Sequence, residues 1–345
     1  MPNKKKPIPK QIVLNEEQQA VVSAREGFWK IEAGPGAGKS ACLVSRFASL
    51  IQEGVSPDDI LSLSFTKTAA KNLRDRVESL VGTLTTTRIA GAVTFHSLAL
   101  SLAQEERDEY PFTLAEFPLA TEPVAYKLAS ESARRYELDP RSFRPMASLY
   151  RRHRICPAEA VRDAEAESDP KQLKMALAYK DYEKRSRAEG LLDFDSLIYY
   201  AVEILSKKPA VRARWVRDWL QLDEAQDMSK IEWDLAKLIS GKSVCAVGDI
   251  SQGIYGFRGS DAKLFSEMEE IFPGTKTLYL GCNYRSTPEI VDFIRPIAAS
   301  QDLAEKFHTQ NGPGPKPEIR GFTGPVDEAK WVVSKIKEEL CKSIY

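Results

Sequence analysis

Two short stretches of this chain carry side chains that can work on a phosphate. Residues 33–40 read AGPGAGKS. Small residues let successive backbone N–H groups converge on phosphate oxygens, a lysine reaches the β- and γ-phosphates, and a hydroxyl can hold Mg²⁺. Gly36, Gly38, Lys39 and Ser40 meet these needs, with Gly34 and Ala37 completing the loop. The strict pattern has glycine where Ala33 stands, a departure that keeps the size requirement. Further on, WLQLDEAQD places Asp223 and Glu224 directly after a short apolar run. One carboxylate can stay on a metal while its neighbour takes a proton from an attacking water. That assigns Asp223 to Mg²⁺, usually through water, and Glu224 to the water itself. Alone, an acidic cluster after a strand is commonly a solvated loop, and a glycine-rich turn can carry GKS by chance. Together the two motifs favour a nucleotide-hydrolysing site.

Such a loop needs a strand before it and a helix behind it, and the apolar pattern supplies both. Strands are predicted at 28–31, 60–65 and 92–95, with helices at 39–51 and 68–81 between them. This is the rhythm of a parallel α/β sheet. From 98 to 189 no strand is evident, only charged helical segments such as 125–136 and 171–187. Strands resume at 219–223, 243–247 and 275–280, each followed by a helix. A helical block interrupting one α/β domain explains this better than two domains in series. The stretch NGPGPKP from Asn311 reads as a linker or turn. One strand (318–322) and one helix (327–340) are expected beyond it.

Composition bounds the remaining possibilities. The 345 residues correspond to about two domains at roughly 100–200 residues each. With 43% hydrophobic and 28% charged residues the chain should be globular. Forty-nine basic residues balance forty-nine acidic ones, which removes the simplest argument for nucleic-acid binding and leaves a local basic groove open. The five cysteines (Cys42, Cys156, Cys245, Cys282, Cys341) are scattered and the histidines number three, so neither a disulfide framework nor a zinc site is supported. No apolar run reaches the roughly 20 residues that span a bilayer. The basic start MPNKKKPIPK has no hydrophobic stretch after it and is read as a disordered arm, in preference to a signal peptide or a nucleic-acid-binding arm. A reducing cytoplasmic setting is expected.

A series of blocks, in order, resembles the UvrD/Rep-type superfamily 1 DNA helicases. They are LNEEQQAVV from Leu14, AGPGAGKS from Ala33, SFTKTAAKNLRDRV from Ser64, TFHSLA from Thr94, LDEAQD from Leu222, VGDISQGIYGFRGS from Val247 and NYRST from Asn283. LLDFDSLI from Leu191 is similar to the segment that re-enters the core of such proteins after a helical insertion. The resemblance covers nearly the whole chain and implies an α/β, RecA-like motor fold. Its first motor domain would comprise residues 1–95 and 191–282, the helical insertion 96–190, and the start of a second motor domain 283–345.

The resemblance also implies roles. Gln18 matches a glutamine that reads the adenine edge, and Tyr284 a residue stacking on the adenine ring. Lys39 and Ser40 match the phosphate and Mg²⁺ contacts, and Asp223 and Glu224 the metal and water-activating pair. Gln252 matches a γ-phosphate sensor linked to DNA, and Arg285 an arginine stabilising charge on the γ-phosphate. Phe65 and Phe257 match aromatic positions that contact single-strand bases, core packing being their reading without the family. Thr94, His96 and Arg258 are further candidates for DNA contacts. The run RRHR (Arg151 to Arg154) is read as a solvated helix face before a DNA contact.

The implied activity is ATP- and Mg²⁺-dependent unwinding, 3′ to 5′, acting on single-stranded DNA and single-strand/duplex junctions. Three departures qualify it. Ala41 stands where an arginine near the nucleotide is frequent, and Ser251 where an acidic residue commonly precedes the glutamine. The second motor domain is expected to continue past Tyr345 and to supply a further arginine, so the chain by itself should be a weak ATPase awaiting that half or a protein partner. A nucleotide-gated DNA-binding regulatory module, or the motor part of a helicase–nuclease, are the alternative readings. A metabolic kinase would leave IYGFRGS and NYRST unexplained.

Overall fold

Apolar runs bounded by turns pair into one all-parallel sheet. The computed structural model describes residues 13–84, 91–254, 256, 259–297 and 300–342. The basic start (1–10) lies outside them, as do Phe257 and Arg258. The strands are β1 (Gly27–Ala33), β2 (Ile60–Ser64), β3 (Ala92–Thr94), β4 (Arg217–Leu222), β5 (Ser240–Gly248) and β6 (Lys276–Leu280), ordered β3-β2-β4-β5-β1-β6. Every pairing is parallel, so all six carboxyl ends open on one side. Register brings Glu32 opposite Gly248, Ala33 opposite Leu280, and Leu63 opposite Leu222. In open α/β sheets that side, where chain order reverses, is where ligands bind.

Both faces are covered, which is why the strands read as continuous apolar runs. The first helices are α1 (Glu16–Ser23), α2 (Lys39–Gln52), α3 (Lys67–Val81) and α4 (Phe95–Glu105). Leu43, Phe47, Leu73 and Val77 of α2 and α3 pack with Ile31, Ile60, Trp219 and Val247 on one face. On the other, Leu98 and Leu102 of α4 join Leu61, Leu63, Leu220, Leu222, Val244 and Ala246.

A second core builds the helical block. It follows in α5 (Glu122–Arg135), α6 (Pro140–Arg152), α7 (Pro157–Glu167) and α8 (Pro170–Ala188). Small residues at helical spacing (Ala129, Ala133, Ala147, Ala160, Ala164) let the backbones approach around Phe143, Tyr179 and Tyr182. The chain then returns through α9 (Phe194–Lys207), α10 (Pro209–Trp215) and α11 (Lys230–Ile239), whose apolar residues belong to the sheet-face core. RRHR is not a solvated face. Arg151 is buried, donating from Nε to Glu183 Oε1 at 2.8 Å and from Nη1 to Asp193. Arg152 pairs with Asp195 at 3.0 Å, and Arg154 with Glu203 and Asp234. Charges that look solvated in sequence are here consumed by carboxylates of α8, α9 and α11.

The remaining elements are α12 (Ala262–Ser266), α13 (Met268–Ile271), α14 (Pro288–Ile294), α15 (Gln301–Lys306) and α16 (Pro325–Lys342), with a two-stranded parallel ladder of β7 (Cys282–Asn283) and β8 (His308–Thr309). The strand expected at 318–322 does not form: the segment has no ladder, and Ile319 is 83% exposed. An extended run becomes a strand only beside a partner, and among the described residues none borders it. Helix α16 matches the expected helix, and none of the helices among the described residues is long and apolar enough to cross a membrane.

Candidate active site

The loop after β1 closes on residues far away in sequence. Gly36 (φ +72°) and Gly38 (φ +81°) are left-handed, a conformation that disfavours any side chain. Space forbids one too: a Cβ on Gly38 would lie 2.8 Å from Gln18 Nε2, and one on Gly36 3.0 Å from Asn283 Oδ1. Gly38 leads into α2, whose 14 residues begin at Lys39. The amides opening such a helix, with its dipole, favour an anion. Ser40 is exposed on that first turn.

The acidic pair follows β4. The Asp223 N–H donates to Leu63 O of the neighbouring strand at 2.9 Å, which fixes where the strand ends. Glu224 then takes a left-handed conformation (φ 51°, ψ 47°), unfavourable for a non-glycine residue by roughly 1–2 kcal/mol. That turn aims its carboxylate at the loop, where Lys39 Nζ donates to Glu224 Oε2 at 2.8 Å. Asp223 is 5% exposed, and its Oδ1 is buried without a hydrogen-bond partner. Burial first, and then the charge of Glu224, push its carboxyl up to about 6. Asp227 is pushed to about 6 for the same reasons.

Two more strand ends complete the wall. After β5, Asp249 Oδ2 accepts from Gln252 Nε2 at 2.6 Å, and its Oδ1 accepts from the Ser251 N–H at 3.0 Å. After β6, Asn283 Nδ2 donates to Pro35 O at 2.7 Å, and the Tyr284 N–H donates to Gly36 O at 3.0 Å. Tyr284 and Arg285 are exposed beside the loop. Arg285 and Gln252 line, with Gly34 and Pro35, a cavity of about 310 Å³. Gln18 reaches the loop from α1, where it is part of the helix cap: Oε1 accepts from the Asn15 N–H at 3.1 Å and Nε2 donates to Ala37 O at 3.1 Å. Both ends of its amide are therefore engaged within the protein.

The donor set suits a magnesium ion held with a nucleotide. Among the described residues no group of three or more histidine, cysteine or carboxylate side chains could hold a metal alone. Mg²⁺ commonly takes only one or two protein ligands and completes its shell with phosphates and waters. The unpartnered buried Asp223 oxygen and the exposed Ser40 hydroxyl fit that pattern.

The expected DNA contacts divide. Phe65 lines a depression of about 510 Å³ together with Glu224, Gln226, Gln252 and Ile254, so it adjoins the catalytic candidates. Thr94 is buried and caps α4, its Oγ1 accepting from the Ser97 N–H at 3.1 Å. His96 packs its ring 5.3 Å from that of Phe194. Phe257 and Arg258 lie outside the described residues. Three residues of the site escaped the sequence reading: Gln226, Asp249 and Asn283. Each sat inside a quoted block, but its role depends on a partner the sequence does not place beside it.

The family described as UvrD/REP helicase N-terminal domain matches residues 14–273. The chain belongs to that family. Its six-stranded parallel sheet with helices on both faces is the α/β fold of a RecA-like helicase domain. Similar proteins include the ATP-dependent DNA helicases PcrA of Staphylococcus epidermidis, 32% identical over 334 residues, and of Staphylococcus aureus, 30% identical. Each match covers 94% of this chain and 45% of the relative, so the chain spans less than half the length of these relatives.

Proposed function

We propose that this chain is the nucleotide-binding motor portion of an ATP-dependent DNA helicase that translocates 3′ to 5′ on single-stranded DNA and opens single-strand/duplex junctions. The observation that carries the reading is the meeting of Lys39 and Glu224 at 2.8 Å where the β1 and β4 loops converge. Lys39 binds the β- and γ-phosphates, and triphosphate entry exchanges its carboxylate partner for phosphate oxygens. Glu224, released from that pair, orients the attacking water and accepts its proton. Gln252 and Arg285 contact the γ-phosphate. Gln18 and Tyr284 hold the adenine, which requires the Gln18 amide to leave Ala37 or Asn15. Ser40 and Asp223 would hold Mg²⁺, which neutralises charge on the phosphates when bound.

Residues 1–95 and 191–282 are read as one motor domain, 96–190 as its insertion and 283–345 as the start of a second. The separate core around Phe143 and Tyr179 supports an insertion, and α4 packs with the sheet at its edge. Completion of the ATP site by further chain or by a protein partner is part of the proposal, because a missing arginine finger costs on the order of 10³–10⁵ in rate. The test is steady-state ATP hydrolysis with and without a single-stranded oligonucleotide, beside Lys39→Ala. DNA-stimulated turnover, or Mg²⁺-dependent ATP binding with slow turnover, either one lost in the variant, supports the reading. A chain that binds ATP as well without Lys39 sinks it.

A further inference from the structure

We propose that Gln226 is a positioning residue that ties the water-activating carboxylate to the loop after β5, and so couples nucleotide occupancy to the DNA-facing side. The inference rests on the functional reading above and deepens it.

Gln226 is 2% exposed and uses its whole amide. Nε2 donates to Glu224 Oε2 at 3.1 Å and to Asp227 Oδ2 at 3.4 Å, while Oε1 accepts from the Asp249 N–H at 3.0 Å. Glu224 Oε2 is the same oxygen that Lys39 holds. Asp249 in turn anchors the Gln252 side chain and the Ser251 backbone. An unbroken chain of hydrogen bonds thus runs from Lys39 through Glu224, Gln226 and Asp249 to Gln252.

Only a side chain with a donor and an acceptor at this reach can fill the middle position. The fold makes room for it: a Cβ on Gly248 would lie 2.7 Å from Gln226 Oε1. Both ends of the link open onto the depression that Phe65 and Ile254 share with Glu224 and Gln252. When a γ-phosphate takes Lys39 away, Glu224 Oε2 loses one of its two donors. Gln226 then passes the rearrangement to Asp249 and the residues it positions. Buried networks of this kind polarise and constrain one another, so the two ends cannot move independently.

The test uses the full chain, a fluorescein-labelled oligo-dT read by anisotropy, and a non-hydrolysable ATP analogue with Mg²⁺. The coupling factor is the ratio of oligonucleotide Kd without and with the analogue, expected at about fivefold or more in either direction for the wild type. Gln226→Met keeps the volume and removes both polar ends. It should bring the factor within about twofold of one with analogue affinity nearly unchanged, while Tm falls by a few degrees for the buried hydrogen bonds it removes. Gln226→Asn, which keeps the amide but is one methylene too short to span Glu224 and Asp249, should lose coupling likewise and stands in if the Met variant does not fold. Variants that keep the wild-type factor overturn the link, as does a wild-type factor of one. Loss of coupling accompanied by an equal loss of analogue affinity overturns it in favour of a purely structural role. A wild-type chain that binds neither ligand overturns the functional reading itself, and the link with it.

Discussion

Lys39 Nζ lies 2.8 Å from Glu224 Oε2, joining the first residue of α2 to the turn that follows β4 across 185 positions of sequence. The side chains are 12% and 38% exposed, so the pair contributes at most about 1 kcal/mol to stability. Its value lies in placement. It holds Lys39 and Glu224 against each other, and on the proposed function a triphosphate must come between them.

Glu224→Gln should therefore leave folding and nucleotide binding intact, with affinity equal to wild type or higher, since Lys39 no longer has an anionic competitor. Turnover should fall by about 10²–10⁴, the usual contribution of a general base. Fluorescent-nucleotide titration and single-turnover hydrolysis read the two effects separately. An undiminished rate removes Glu224 from the role.

Asp223 makes stability depend on pH in a definite direction. Its carboxyl is raised from the ordinary 3.8 to about 6 by burial and by Glu224. The folded protein keeps this proton where the unfolded chain has released it, so the metal-free protein loses stability as pH rises from about 4 to about 6. Above that window the buried charge costs on the order of 2 kcal/mol. Asp223→Asn should raise Tm at pH 7.5 without Mg²⁺, and the gain should vanish towards pH 4. Turnover should be lost at every pH. A Tm difference independent of pH between 4 and 7.5 would contradict the assignment.

The sheet and the two chemical loops were legible because their signals are local. Val244 to Val247 read as an apolar run since both faces of β5 are covered, and AGPGAGKS needs its small residues wherever it stands. What escaped depended on distant partners. Arg151 looks like surface charge until Glu183 and Asp193, 32 and 42 residues away, are brought to it. The run at 318–322 has strand composition but, among the described residues, no neighbour to pair with. Gln226 is unremarkable in LDEAQD until Asp249 arrives beside it.

Arg151 carries the sharpest stability prediction. Its guanidinium is buried with Glu183 and Asp193, while the Tyr182 hydroxyl donates to Asp193 Oδ2 at 2.6 Å and the Tyr200 hydroxyl to Glu183 Oε2 at 2.8 Å. Arg151→Met leaves the largely buried Asp193 without a cation and Glu183 with only the half-exposed Arg187 at 3.7 Å, and should cost about 3–5 kcal/mol, read as a lowered urea midpoint. Arg135→Ala, which removes an exposed partner of Asp181, should cost under about 1 kcal/mol. Adding Glu183→Gln and Asp193→Asn to Arg151→Met should recover much of the loss. If it does not, packing of the guanidinium over Tyr179 and Tyr182, and not uncompensated charge, sets the cost.

Asn283 ties the last part of the site to the phosphate loop. It is 1% exposed. Its Oδ1 accepts from the N–H groups of Arg285 and Ser286, both at 2.7 Å, and its Nδ2 donates to Pro35 O. Asn283→Ala removes three bonds, each worth about 1 kcal/mol net, and should free residues 284–286 from the loop. Amide exchange at Arg285 and Ser286 should quicken, and ATP affinity should fall by about tenfold as Arg285 loses its place. Asn283→Asp separates the two effects. The carboxylate still accepts both N–H groups, so exchange should stay slow, but it cannot donate to Pro35 and sets a negative charge beside the phosphate site. Affinity should then fall while the local structure persists. Fast exchange in the Asp variant would mean that the bond to Pro35, and not the turn that Oδ1 organises, holds Arg285 over the loop.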